Sequence, residues 1–162
     1  MITAATCLWF HDRAEEAADY YVDVFDQAEL ASRFISPEGE GFTPGSVLVS
    51  EVVIAGHRIS LLNGGTHFTQ TPAASIEIRC EDQAESDRYY DRLIADGGEE
   101  SWCGWLTDRY GVSWQIFPEA LTRLLADPDP ARAARGMAAM RTMRRIDLAG
   151  IEAAMDEESV AG

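Results

Sequence analysis

The chain has 162 residues, of which 46 % are hydrophobic and 25 % charged, enough for one sizeable core or for two small units sharing one. Its net charge of −15 has the wrong sign for a nucleic-acid backbone, and no apolar run is long enough to span a membrane, so neither partner is expected. All 13 basic residues are arginine, which excludes a lysine Schiff base.

The N-terminal residues lack a basic region followed by a long apolar stretch, so no signal peptide is expected. Cys7, Cys80 and Cys103 are odd in number, far apart and free of any CxxC spacing. That argues against a disulfide scaffold and a zinc knuckle and fits a reducing cytoplasm. Residues 4–10 form a short apolar run, read as a strand. Asp12 followed by Glu15 has the form of a capping box, and the apolar spacing over residues 13–25 predicts an amphipathic helix. A strand is expected over 29–35, a Gly/Pro-rich loop over 36–45, and two strands over 47–54 and 58–62, joined by a turn at Ala55-Gly56-His57. The order is β-α-β-β-β.

The pattern then starts again. Residues 73–80 alternate with the period of a strand. Asp82, Ala84, Glu85 and Tyr90 recur 70 positions after Asp12, Ala14, Glu15 and Tyr20 (82−12, 84−14, 85−15, 90−20), which argues for an internal duplication. A second helix is expected over 83–95, closed by Asp96-Gly97-Gly98. Residues 101–118 read as a β-hairpin around the turn Asp108-Arg109-Tyr110-Gly111, with the Asp108/Arg109 pair as turn structure. Trp102, Trp105 and Trp114 carry too much apolar area to leave in water, so the hairpin faces a core or lines a ligand cavity. The tail reads as a short helix over 118–126, a stiff break at Asp127-Pro128-Asp129-Pro130, a helix over 131–146 and another over 147–155. Met137, Met140 and Met143 form a packing stripe, within the chain or against a second subunit.

Several of these segments resemble the PhnB-like proteins. The similar stretches are CLWFHDRAEEAADYYVDVF at residues 7–25, LLNGGTHF at 61–68, CEDQAESD at 80–87, CGWLTDRYGVSWQIFP at 103–118 and DPDPARAARGMAAMRTMRRID at 127–147. This group is often called 3-demethylubiquinone-9 3-methyltransferase and belongs to the vicinal oxygen chelate superfamily, with glyoxalase I, extradiol dioxygenases and bleomycin-resistance proteins. The resemblance implies an α+β fold of two βαβββ modules, residues 1–70 and 71–118, forming one cupped unit with a helical extension over 119–162. It also implies a homodimer and a small-molecule ligand.

Superfamily enzymes hold a divalent metal with His and Glu on the first and last strands of each module. Here the expected positions fall near Thr6, Ser60 or Asn63, Ser75 and Gln115, all neutral and weak ligands. The expectation is therefore a binding protein with no cofactor and no metal, its cleft lined by Trp9, Asn63, His67, Trp102, Trp105, Ser113 and Gln115. The alternative is a lyase- or dioxygenase-like enzyme on a small organic substrate, using a divalent metal or the pair His67 and Cys103. A third reading is a structural partner acting through the Met-rich tail. His11 and His57 read as surface histidines, and Cys103, among tryptophans, as a quiet packing thiol. Methyl transfer from S-adenosylmethionine calls for a glycine-rich loop after a first parallel strand; the sequence has no GxGxG.

Overall fold

Alternating apolar residues in the first half of the chain form β1 (Thr6–Phe10), β2 (Ala28–Ile35), β3 (Val47–Ile54) and β4 (His57–Asn63), with α1 (Ala14–Val24) after β1. In this computed structural model, which describes residues 2–37 and 43–157, they belong to a compact unit, Met1–Thr71. The sheet order is β1-β4-β3-β2, parallel between β1 and β4 and antiparallel elsewhere. α1 buries Ala14, Ala17, Ala18, Tyr21 and Val24. Three alanines let the helix lie close on the sheet, over Val52, Ile54, Ile59 and Leu61, all almost fully buried. The turn between β3 and β4 places Ala55 at φ 48 and Gly56 at φ 81, the left-handed pair that a tight hairpin needs. Part of the loop expected over 36–45 lies outside the described residues.

One expectation for this unit is corrected. Asp12 does not cap α1. The residue before the helix is Arg13, and no side chain of its own caps the first turn. Instead the Ala14 N–H donates to Asn63 Oδ1 (2.8 Å), while Asn63 Nδ2 donates to the Val47 carbonyl (2.9 Å). α1 starts at Ala14, one residue later than the repeat with Gln83 implies (83−70 = 13), so Asp12 is out of position. Asn63→Ala should lower stability by about 1–2 kcal/mol, the usual cost of losing a cap, read as a lower urea midpoint. An unchanged midpoint would show that water serves the helix end equally well.

The second compact unit, Pro72–Gly162, repeats the design. It contains β5 (Ile76–Cys80), α2 (Gln83–Ile94), β6 (Glu99–Glu100), β7 (Trp105–Thr107) and β8 (Ser113–Pro118). The sheet order is β5-β8-β7-β6, with β5 parallel to β8. β5 begins and ends 70 positions after β1 (76−6, 80−10), as the duplication predicts. Here Asp82 does cap its helix, accepting from Glu85 N–H (2.8 Å), and the Glu85 carboxylate reaches back to Glu81 N–H (2.7 Å). α2 lays Tyr89, Tyr90 and Leu93 against the β8 face that carries Trp114 and Ile116. The outer strands are short, two and three residues.

The hairpin over 101–118 is therefore only partly strand. Cys103 (φ 60) and Gly104 (φ 83) are both left-handed, and they break the expected first arm into a turn followed by β7. A Cβ on Gly104 would stand 2.9 Å from the Ile116 carbonyl. The reason for the break lies in the tail. Cys103 N–H donates to Met143 O (2.8 Å) and Gly104 N–H to Arg144 O (2.7 Å).

The tail forms α3 (Ala120–Leu125), α4 (Pro130–Met140) and α5 (Leu148–Asp156). The helix expected over 131–146 ends at Met140, because residues beyond it leave the helix to make those two backbone bonds. Ile146 is fully buried with Ile151 and Met155 against Phe117 and Leu121, and Met140 and Met143 pack on the same cluster. The methionine stripe is thus, at least in these two residues, packing within the chain.

Candidate functional site

In the second unit the sheet face away from α2 carries the candidate site. Residues directly opposite in a sheet share a face, so the register places Glu77, Gln115 and Trp105 in one row and Ser113, Thr107 and Glu99 in the next. Gln115 Nε2 donates to Ser75 Oγ (2.8 Å). Glu77 is held by Arg79, whose Nε lies 2.6 Å from its carboxylate. Beside these rows is a depression of about 210 Å³, lined among others by Glu99, Glu100, Trp105, Thr107 and Ser113. Trp105 is half-buried. Ser113 is 3 % exposed, and its hydroxyl has no hydrogen-bond partner among the described residues. A buried hydroxyl without a partner costs free energy.

The turn that closes β7 and β8 is built on Asp108, itself only 3 % exposed. Its carboxylate accepts from the N–H groups of Tyr110 (2.8 Å) and Val112 (3.0 Å) and from Trp114 Nε1 (2.9 Å). Arg109 pairs with Asp96 (2.7 Å). Trp114 therefore belongs to the core. Trp102, expected in the cleft, is instead 54 % exposed, because the left-handed turn at Cys103 swings it outward. The Arg144 guanidinium lies 4.9 Å from its ring centre.

The remaining candidates lie in the first unit. Trp9 is half-buried; its Nε1 donates to Gly65 O (2.8 Å), and its ring meets Phe68 edge-on at 5.0 Å. Gly64 lies so close under that ring that an added Cβ would fall 2.3 Å from it. Asn63 is engaged at the start of α1. His67 is exposed in the turn after Gly65. Thr6 shares the face of Ile59, which α1 covers, and its Oγ1 lies 3.0 Å from His57 Nε2. It is Cys7 that stands beside Ser60 on the opposite face. A second depression, of about 310 Å³, borders His11, Asn63, Gly64 and Gly65.

The thiols are unlike one another. Cys7 is exposed and Cys80 buried. Burial, followed by the nearby Glu85 carboxylate, pushes the Cys80 thiol up to about 12, which keeps it protonated and inert. Sequence reasoning missed Glu77, Glu99 and Thr107. The signal was present: from Gln115, alternation and cross-strand pairing lead to each of them, once the short outer strands are known.

The donors at the expected metal positions are poor. Ser60, Ser75 and Gln115 are neutral and Glu77 is engaged by Arg79. Among the described residues, no group of three or more His, Cys, Asp or Glu side chains is arranged to hold a metal ion. Nor is any helix among them long and apolar enough to cross a membrane.

The profile of a family described as 3-demethylubiquinone-9 3-methyltransferase matches residues 3–117. Among solved structures, the PhnB protein of Bacillus cereus is 31 % identical, with a TM-score of 0.64, and the match covers 72 % of this chain and 99 % of that one. Protein PA1353 of Pseudomonas aeruginosa is 19 % identical, with a TM-score of 0.59, over 70 % of this chain and 95 % of that one. The fosfomycin resistance protein FosX of Listeria monocytogenes, a variant solved with Mn(II) and 1S,2S-dihydroxypropylphosphonic acid, is 19 % identical at a TM-score of 0.55, over 77 % of this chain and 99 % of that one. No curated protein matches the chain significantly. At such identities, the last two structures speak to the fold alone.

Proposed function

The chain belongs to the 3-demethylubiquinone-9 3-methyltransferase family, the PhnB-like branch of the vicinal oxygen chelate superfamily, and from that premise we propose that it binds a small organic molecule without a catalytic metal. The observation that carries this reading is the Ser113 hydroxyl, buried and without a partner among the described residues, at a depression with Trp105 in its wall. An apolar aromatic wall with a few polar groups is the usual make-up of a small-molecule site. The metal-free reading rests on the chemistry of the donors. Serine hydroxyls and a glutamine amide are weak ligands for a divalent ion, and the one carboxylate in their row is engaged by Arg79. The residues present do not fit a divalent ion such as the Mn(II) that FosX was solved with. Methyl transfer finds no support either, since the sequence lacks the glycine-rich loop. The protein is further read as a cytoplasmic homodimer, in keeping with its three free cysteines and with the family resemblance.

Backbone-amide NMR shifts during titration with benzyl alcohol, a neutral aromatic probe, test the binding site. The amides of Ser113, Thr107 and Gln115 should move together. Ser113→Val should weaken the probe by about fivefold, the worth of one hydrogen bond near 1 kcal/mol. Shifts confined to other surfaces, or an unchanged affinity in the variant, would sink the reading.

A further inference from the structure

Resting on that reading, we propose that the depression in the second unit selects an organic ammonium ion. Glu99 and Glu100 both border it and no arginine does, but strand alternation gives only Glu99 to the open face, since Glu100 stands opposite the buried Leu106. Glu99 stands on the open face, in the row of Thr107 and Ser113. Among the described residues neither glutamate has an ion-pair partner. Arg144 donates to the backbone oxygen of Glu100 (3.1 Å) and stacks on Trp102, and it is not part of the lining.

Three features then act on one ligand group. The Ser113 oxygen, otherwise unpartnered, can accept an N–H. The Glu99 carboxylate supplies opposite charge, and the half-buried Trp105 ring offers a negative face to a cation. A carboxylate or phosphate ligand could accept from the Ser113 O–H but would meet like charge at Glu99 and the negative face of Trp105. The net charge of −15 adds attraction for a cation at long range.

The test compares benzylammonium with benzyl alcohol on the full chain at neutral pH. The two share the aromatic ring and differ chiefly in charge. Affinities are read from the amide shifts of Ser113 and Thr107. The ammonium should bind about tenfold more tightly, on the magnitudes of a cation–π contact and an exposed ion pair. Glu99→Gln should remove most of that preference, bringing the affinities of the two probes to within about twofold of each other, with thermal unfolding used to confirm that the variant is folded. Equal affinities for the two probes would overturn the ammonium preference and leave the binding site standing. A preference that survives Glu99→Gln would overturn the role given to that carboxylate. If neither probe moves these amides, the binding-site reading fails and this inference with it.

Discussion

Asp108→Ala should destabilise the protein by about 4 kcal/mol, because hydrogen bonds to a charged acceptor are worth about 1.5–3 kcal/mol each and do not add fully when shared. The carboxylate is buried and accepts from two backbone N–H groups and from the indole of Trp114. Removing it leaves three donors unsatisfied. Total stabilities of single domains are about 5–15 kcal/mol, so the loss would be a large share of the whole. Urea unfolding followed by tryptophan fluorescence reads it directly. Asp108→Asn separates the contributions. Its remaining oxygen can still serve Tyr110 and Val112, but its amide NH₂ would then face the indole N–H. Trp114→Phe should cost less in the Asn background than in the native chain, because the clash with the indole N–H is then absent. A loss below about 1 kcal/mol in the alanine variant, the scale of one ordinary hydrogen bond, would show that the β7–β8 turn does not depend on this side chain.

Ending the chain after Asp127 should leave the second unit unable to fold stably. Ile146, Ile151 and Met155 are fully buried against Phe117 and Leu121, and burying each such side chain is worth about 1.5–3 kcal/mol. The truncation also removes the acceptors of Cys103 and Gly104 N–H and the Ile146 carbonyl that accepts from Gln83 Nε2. The expected result is an aggregating or molten product in gel filtration and circular dichroism. Should the tail instead serve chiefly as a dimer arm, the shortened chain would be a well-folded monomer by sedimentation, and the assignment of the tail to this core would be wrong. The milder Ile151→Ala should cost about 2–5 kcal/mol, as cavity-forming substitutions do, with folding retained.

Much of the fold was legible before any coordinates. The 70-residue offset pointed to a duplication and matched the span of β5 to that of β1, because a duplicated sequence keeps its spacing where strand and helix must pack together; the two βαβββ units followed from the family resemblance. The breaks were less legible. Nothing in residues 131–146 forbids helix, and Ala, Arg and Met favour it. The helix stops because Met143 and Arg144 give their carbonyls to Cys103 and Gly104, partners about 40 residues away in the chain, which no local propensity encodes. The site divides in the same way. Trp105, Ser113 and Gln115 do lie on or beside one face, as alternation along a strand allows. Trp102 does not, since a left-handed cysteine reverses the chain just beyond it. The sequence expectation puts Thr6 near the metal position, whereas Cys7 stands beside Ser60, because a shift of one residue exchanges the two faces of a strand.

The two helix caps draw on partners at very different distances along the chain. Asp82 closes its cap over three residues of sequence, so the first turn of α2 carries its own local contact. α1 depends on Asn63, 49 residues away. Its first turn gains that bond only after β4 has been laid beside β1, when the entropy of closing the intervening loop has already been lost. The duplicated halves thus share a final geometry but hold their helix starts differently: by a local contact in the second, by a contact that requires the sheet in the first.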